Sequence, residues 1–360
     1  MANSKIIAEV GVNHNGNFDL ALKLIEAAKD AGADYVKFQT YKTEKIVTKD
    51  APKASYQRKE GLDHETHYEM LRKLELSFEE FEKIKKYCDY KKIGFLSSPF
   101  DIDSANFLLK HLQLELIKIG SGEITNAPLL SCISKFKPKM ILSTGMSDLE
   151  DICRALNFLH LAQSNRENEY SPNQSHELPK RLDSFILKNV CLLHCTSSYP
   201  ANFEDLNLNA LKTLKKKFGL KVGYSDHSLG IEVPIAAVTM GANLIEKHLT
   251  LNCALPGPDH TASLEPTEFK RMVMSIRNIE KSFGTHIKHK TKDELEVSVV
   301  ARKGLYVSRN LPKDHVITED DILVLRPAAE LSPLYFWEII GKNTTKELFK
   351  GTPFSLNDLI

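Results

Sequence analysis

Very little in this chain of 360 residues points to a nucleic-acid or membrane partner. Its 48 Lys and Arg against 47 Asp and Glu leave a formal charge of +1, too small for a broad field that would draw polyanions. No apolar run approaches the roughly 20 residues of a membrane helix. The opening Met1-Ala2-Asn3-Ser4 leads directly into a strand pattern and does not read as a signal peptide. No CxxC pair occurs among the six cysteines at 88, 132, 153, 191, 195 and 253. That usage predicts a reducing cytoplasm, with neither a disulfide framework nor a thiolate zinc site. Cys191 and Cys195 fall inside an apolar run, where cysteine acts as a small hydrophobe.

What the chain does have is a repeated unit. Eight short hydrophobic runs, at 5–11, 34–40, 93–100, 114–121, 139–145, 190–196, 221–227 and 242–250, alternate with amphipathic helical patterns. Eight βα units predict an α/β fold, a closed (β/α)8 TIM barrel over residues 1–285, with its active site where the strands end. Those ends carry Glu9, Lys37, Gln39, Ser98, Lys118, Ser121, Glu123, Ser143, Ser197, the run Ser225-Asp226-His227 and the run Glu246-Lys247-His248. Purely structural strand ends need no such set of lysines, carboxylates and histidines, so the pattern is that of an enzyme.

Helical periodicity supports the intervening elements. Phe269, Met272, Val273 and Ile276 form one stripe, closed by Gly284, and Ser77 with Glu80 spells a capping box. Residues 162–188 are polar, connect a helix to a strand, and predict a surface insertion on the barrel face away from the chemistry. Residues 41–70 follow a strand and so belong to the reactive face. Their Lys42, Lys45, Lys49, Lys53 and Arg58 suit either a cationic lid over an anionic substrate or an ordinary solvated loop. A charged stretch at 286–297 reads as a linker to a small domain at 298–360, punctuated by Pro312, Pro327, Pro333, Gly341 and Gly351. A unit of that size is marginal alone and should dock on something.

Strand parity orders the site, because alternate residues share a face. Ser225 and His227 point one way and Asp226 the other; Glu246 and His248 point one way and Lys247 the other. Neighbouring strands bring His227 and His248 together, where two neutral imidazoles could hold a divalent ion in a weak, open site better suited to Mn2+ or Mg2+ than to structural zinc. Packing alone is the plainer alternative for a histidine pair. Lys37 and Lys118 are costly to bury unless each meets an anion or a carboxylate. With Ser98, Ser121, Ser143 and Ser225 they compose a phosphate pocket, although any one serine could instead cap a helix. Glu9 and Glu123 are candidates for proton transfer, and Asp259 in Pro256-Gly257-Pro258-Asp259-His260 is either a polar site residue or a turn former.

The stretches Ala8-Glu9-Val10-Gly11-Val12-Asn13-His14-Asn15-Gly16, Val36-Lys37-Phe38-Gln39-Thr40, Lys118-Ile119-Gly120-Ser121-Gly122-Glu123, Leu193-His194-Cys195-Thr196-Ser197-Ser198-Tyr199-Pro200, Gly223-Tyr224-Ser225-Asp226-His227-Ser228 and Ile245-Glu246-Lys247-His248 resemble the sialic acid synthase family. Those enzymes condense phosphoenolpyruvate (PEP) with N-acetylated hexosamines to make nonulosonic acids. The tail resembles the antifreeze-like (SAF) domain they carry. The resemblance implies that Lys37, Ser98, Lys118, Ser121, Ser143 and Ser225 bind PEP, and that His227 and His248 hold the metal. It implies that Glu9, Gln39, Tyr199 and Asp259 contact the sugar or assist the reaction, with Glu123 near the reacting carbons. Ser197 stands where some members carry a sugar-contacting asparagine. Arg326, in Val324-Leu325-Arg326-Pro327, matches an arginine that reaches the partner's site in a domain-swapped homodimer, although Ala328-Ala329-Glu330 departs from the usual glycine-containing turn.

Three other readings stay open: a pseudaminic acid synthase acting on an altrose-type sugar, a Schiff-base keto-acid aldolase using Lys37 or Lys118, and a non-catalytic glycan- or ice-binding protein on an inert barrel. The Cys195–Pro200 and 203–208 stretches look closer to the sialic and legionaminic branch.

Overall fold

The computed structural model describes residues 3–54, 57, 65–174 and 183–360, in two compact units, Met1–Phe283 and Gly284–Ile360. In the first unit strands and helices alternate: β1 (Lys5–Gly11), α1 (Phe18–Asp30), β2 (Tyr35–Thr40), α2 (Thr43–Ile46), α3 (His67–Leu74), α4 (Phe78–Lys91), β3 (Gly94–Pro99), α5 (Ile102–Asn106), β4 (Leu116–Ile119), α6 (Ala127–Ser134) and β5 (Lys139–Ser143). There follow α7 (Leu149–Ala162), α8 (Ser184–Asn189), β6 (Val190–Cys195), α9 (Ala210–Phe218), β7 (Lys221–Asp226), α10 (Glu232–Thr239), β8 (Leu244–His248) and α11 (Pro266–Ser282). All eight strands are parallel and pair in the order β3-β2-β1-β8-β7-β6-β5-β4, with β3 and β4 adjacent where the ring closes. This is the expected TIM barrel.

The barrel interior explains why the strand ends are polar. Ile7, Leu96, Ile141, Leu193 and Leu244 pack together inside the ring. Two residues further along the same faces stand Glu9, Ser98, Ser143, Cys195 and Glu246, with Lys37, Lys118 and Ser225 supplied by the other three strands. The interior is therefore an apolar plug beneath a polar layer. Outward-facing residues such as Ile6, Ala8, Val36, Phe38, Ile117, Leu142 and Leu192 bury against the helical shell. One outward pair is charged: Lys247 Nζ lies 2.6 Å from Asp226 Oδ2, both fully buried. Parity thus separates a structural ion pair from site residues one position away.

Local signals hold. Ser77 and Glu80 form a reciprocal capping box on α4, and Gly284 adopts φ +56° two residues after α11. The 162–188 insertion is better anchored than its composition suggests. Tyr170 packs edge-on against Phe158 of α7 at 5.1 Å, Ser131 of α6 donates to Glu167 at 2.7 Å, and α8 occupies its end; residues 175–182 lie outside the described part. None of the six cysteines is in a disulfide. Among the described residues no helix is long and apolar enough to cross a membrane.

The second unit begins at Gly284, two residues before the stretch read as a linker, and includes all of it. That stretch is not plain coil, because α12 (Lys292–Ala301) starts there behind a Thr291–Glu294 capping box. The unit then pairs β9 (Gly304–Val307) with β10 (Ile322–Leu325) antiparallel, passes through the short α13 (Phe336–Ile339), and buries Leu305, Val307, Leu311, Ile317, Leu331, Ile339, Leu348 and Phe354 as a core of its own.

Candidate active site

The strand ends open into a cavity of about 520 Å³, within the usual range for small-molecule sites. Every barrel residue named above as a candidate lines it, from Glu9 on β1 to Asp259 after β8. Arg326 belongs to the second unit, where it is exposed after β10 at a cis bond to Pro327.

Register sets the floor. Glu9 pairs in register with Lys37 on one side and His248 on the other, and Ser225 stands opposite Glu246. Lys37 Nζ lies 2.6 Å from Glu9 Oε2 and 3.8 Å from Glu246 Oε1. Lys118 Nζ reaches the same Glu246 oxygen at 3.3 Å, and the Ser225 hydroxyl donates to it at 2.9 Å. Glu246 is therefore the common acceptor of two buried cations and a hydroxyl. The sequence reading placed it on the face of His248 without giving it a role; parity was the signal that could have found it. Its other oxygen, Oε2, is buried without a hydrogen-bond partner among the described residues.

The electrostatics follow from counting neighbours. Burial alone would raise Glu246, but Lys118 and Lys37 hold it well below the usual carboxylate range, so it is ionised. Burial raises Glu9, and the pull of Lys37 only partly offsets this beside a second carboxylate. Burial opposes charge on both lysines. Lys37, which meets two carboxylates, nevertheless ends up raised, whereas Lys118, supported mainly by Glu246 and repelled by Lys37, is lowered. The buried lysines do meet carboxylates, as their cost requires.

Around this core the hydroxyls are arranged individually. Ser98 Oγ accepts from Lys37 Nζ at 3.5 Å. Ser121 Oγ accepts from the Gly145 N–H at 3.1 Å and sits 3.3 Å from Cys195 Sγ, and Ser143 is buried on the cavity wall. None of these serines is an N-cap of the helices described, so the capping alternative does not apply to them. A β-bulge between Glu9 and Gly11 turns the chain at φ +35°, and a Cβ on Gly11 would come within 2.5 Å of Glu9 Oε1. Only glycine leaves room there for the carboxylate and for Gln39, whose amide donates to Glu9 at 3.3 Å.

His227, just after β7, and His248, at the end of β8, line the same cavity as the lysines. Their ring centroids are 5.5 Å apart, and Tyr199 packs against both, at 4.1 Å from His227 and 5.7 Å from His248. Burial lowers His227 to about 4 and lowers His248 well below its ordinary value, so both rings are neutral. The Nδ1–H of His227 donates to the Thr196 carbonyl at 2.7 Å, which leaves Nε2 as a lone-pair donor. No grouping of three or more His, Cys, Asp and Glu suited to a metal occurs among the described residues. Two neutral, converging imidazoles fit a weakly held, open-sided divalent ion that takes its other ligands from water and substrate, and do not fit a closed zinc site. Asp259, 3.8 Å from His248 Nδ1, is raised to about 7 by burial and then by Glu9. Glu123, half-buried on the rim, is raised by burial and accepts from Asn126 at 2.6 Å.

Most lysines among the described residues of 41–70 meet carboxylates rather than standing free as a cationic lid. Lys42 pairs with Glu75 at 3.2 Å, Lys45 with Asp103, and Lys53 with Glu65 at 3.1 Å; Arg58 lies outside the described residues. These pairs neutralise Lys42, Lys45 and Lys53 locally, while Lys49 is exposed; the described residues of the segment that line the cavity are Tyr41, Ile46, Ala54, Gln57, His67 and Met70, continued by Leu71 and Leu74 of α3. Hydropathy could not show this, because the apolar residues are spread over two short helices separated by a polar stretch.

Comparison with known proteins agrees with the geometry. Residues 24–288 match the NeuB family and residues 302–360 the SAF domain. The chain is 42% identical to the N,N'-diacetyllegionaminic acid synthase of Campylobacter jejuni, over 96% of this chain and 97% of that protein. It is likewise 42% identical to the protein of the same name from Legionella pneumophila, over 96% and 92%. Among solved structures, the N-acetylneuraminic acid (sialic acid) synthetase of Leptospira borgpetersenii, in complex with citrate, superposes with a TM-score of 0.64 at 34% identity, covering 82% of this chain and 90% of that one. A barrel whose mouth is floored by paired lysines and carboxylates, followed by a SAF domain, accordingly has its place among synthases of nine-carbon acidic sugars: the chain belongs to the NeuB family.

Proposed function

We propose that this chain condenses phosphoenolpyruvate with an N-acetylated mannosamine-type sugar, giving a nonulosonic acid of the sialic or legionaminic kind and inorganic phosphate. The observation that carries the reading is the floor. Two buried lysines share Glu246 in a cavity also lined by serine hydroxyls and two neutral imidazoles. An enol phosphate bears a dianion and a carboxylate, and this layer supplies cations and donors for both. Glu9 and Glu246 compensate the lysines within the protein, and Lys37 and Lys118 are the cations an incoming anion would meet.

When bound, a divalent ion held by His227 and His248, Mn2+ or Mg2+, would polarise the sugar's aldehyde oxygen as a Lewis acid. The residues do the remainder. Lys37, Lys118, Ser98, Ser121, Ser143 and Ser225 hold PEP so that its carbon 3 faces the aldehyde; Gln39, Ser197, Tyr199 and Asp259 orient the sugar. As carbon 3 bonds to the aldehyde carbon, positive charge develops at carbon 2. Water adds there and loses a proton to Glu9 or Glu123, two carboxylates that burial raises above their ordinary range. Collapse of that tetrahedral carbon expels phosphate with its bridging oxygen, so the carbon–oxygen bond breaks.

The test is phosphate release in H2(18)O with PEP and sugar. Unlabelled phosphate together with label in the product's keto position is expected, and label in the phosphate instead contradicts carbon–oxygen cleavage. Chelation should abolish turnover and Mn2+ or Mg2+ restore it; turnover that survives exhaustive chelation removes the metal role. One observation favours a Schiff-base aldolase, the lowered pKa of Lys118. Borohydride trapping of a pyruvate adduct would establish that chemistry in place of the PEP reaction.

Sharing of Arg326 between subunits is part of the same proposal. Arg326→Ala should raise the sugar KM while leaving thermal unfolding unchanged. Mixing it with a Lys118→Met subunit should rebuild some intact sites. Absence of rescue after subunit exchange counts against a swapped dimer.

A further inference from the structure

The segment between β8 and α11 brings Asp259 to the cavity, and what fixes it there lies outside the cavity. The base of the segment is closed by backbone. The Leu249 N–H donates to the Glu9 carbonyl at 2.8 Å, the Leu264 N–H to the His248 carbonyl at 2.9 Å and the Thr250 N–H to the Leu264 carbonyl at 3.0 Å. Leu249 and Leu264 are both buried. Between these ends the chain runs through Pro256-Gly257-Pro258-Asp259 and a single 3-10 turn, His260–Ala262. The Asp259 side chain is buried, yet its carboxylate makes no hydrogen bond among the described residues. The backbone that bears it therefore sets where the carboxylate stands.

That backbone is bolted to the turn after β1. Ser263 Oγ donates to the Asp259 carbonyl at 2.7 Å and accepts from Asn13 Nδ2 at 2.9 Å. The same Asn13 amide donates to the Leu249 carbonyl at 2.9 Å, so one asparagine clamps both the base of the segment and the group that holds Asp259. His260, fully buried, makes a second bolt from the next residue. Its Nε2 lies 3.2 Å from Asn15 Oδ1 and its Nδ1 2.7 Å from Thr250 Oγ1. Gly257 fits against both partners: a Cβ there, at φ +150°, would come within 2.6 Å of His260 Cδ2 and 2.9 Å of Asn15 Oδ1.

Asn13, His260 and Ser263 do not line the cavity. Their effect on a substrate passes through what they hold. A catalytic or binding group needs support of this kind, because a misplacement of about 1 Å can cost about 100-fold in rate.

We infer that Asn13, His260 and Ser263 are positioning residues that hold Asp259 in place for the sugar, by fastening the segment after β8 to the turn after β1. This rests on the proposed condensation, in which Asp259 orients the sugar, and names what keeps Asp259 oriented. The residues assigned to PEP stand on or just after β2, β3, β4, β5 and β7, so loosening the bolts acts on the sugar and leaves PEP binding alone.

The experiment measures phosphate release by the full chain with PEP and whichever of N-acetylmannosamine and 2,4-diacetamido-2,4,6-trideoxymannose the wild type uses better. Ser263→Ala, which removes a single oxygen, and His260→Ala should each lower kcat/KM for the sugar at least about 10-fold, with the KM for PEP near wild type. In an Asp259→Ala background the same substitutions should cost little more, because residues that act through one group are not additive. Ser263→Ala covers the case in which His260→Ala fails to fold. An unchanged sugar kcat/KM in folded Ser263→Ala, or an equal rise in the KM for PEP, overturns the inference and leaves the condensation standing. So does the full loss repeated in the Asp259→Ala background. Wild-type protein that releases phosphate with neither sugar overturns the condensation and the inference with it.

Discussion

Glu246→Gln should cost the chain at least about 30-fold in kcat/KM for PEP, because removing one partner of a buried, hydrogen-bonded charge pair is worth about 2–5 kcal/mol. One oxygen of Glu246 serves Lys37 at 3.8 Å, Lys118 at 3.3 Å and Ser225 at 2.9 Å. Glutamine keeps the shape and one acceptor but removes the charge. Lys37 retains Glu9 at 2.6 Å. Among the described residues Lys118 has no second carboxylate in ion-pair range, and burial already lowers its pKa. Without Glu246 that pKa falls further, so Lys118 loses its proton at a lower pH and the alkaline limb of the pH–rate profile moves toward neutrality. The expected pattern is a raised KM for PEP, a displaced alkaline limb, and a sugar KM changed much less. A Glu246→Gln protein with wild-type kcat/KM for PEP and an unmoved limb would show that Glu246 does not sustain the charge of the floor.

The second large effect is on folding. Asp321 is fully buried in the C-terminal unit, where it accepts from Arg309 Nε at 2.7 Å, His315 Nε2 at 2.9 Å, the Thr318 N–H at 2.9 Å and the Thr318 hydroxyl at 2.8 Å. Burial pushes its carboxyl up, but these donors outweigh burial and hold it far below the ordinary carboxylate range. Asp321→Ala strands several of them at once, a loss of about 3–5 kcal/mol by analogy with broken buried pairs. That is about the whole stability of a domain this small. Calorimetry of the full chain should show the transition of the C-terminal unit lowered or lost while that of the barrel persists; a transition within a degree or two of wild type contradicts the argument. The pH dependence has a definite sign. Because the folded carboxyl is the stronger acid, its contribution is complete above the unfolded value of about 4 and is lost as pH falls below that toward the folded value. The Asp321→Asn protein should lack this acid limb.

Much of the site was legible from composition and period. A hydrophobic run that ends in polar residues, repeated eight times, left few architectures open, and alternation along each strand sorted His227 from Asp226 and His248 from Lys247. The buried ion pair of Lys247 with Asp226 and the inward pair of histidines bear that sorting out. Two features were not legible. Glu246 could be placed on the correct face but not identified as the hub of the floor, because its weight comes from Lys37 and Lys118, whose strands are far from it in sequence. The character of the 41–70 segment, left open between a cationic lid and a solvated loop, was not legible because Glu75 and Asp103, which neutralise Lys42 and Lys45, lie outside it.

The sequence by itself determined the barrel, the order of its strands' polar tips and the residues that could bear charge, since each depends on periodicity within a run of a few residues. Only the tertiary structure decided which charges meet, which lysine is left short of a counter-charge, and that apolar side chains of α3 line the same cavity as the polar floor. Those are sums over neighbours from different strands and helices, and burial magnifies them because a buried charge has no water to make up for a missing partner.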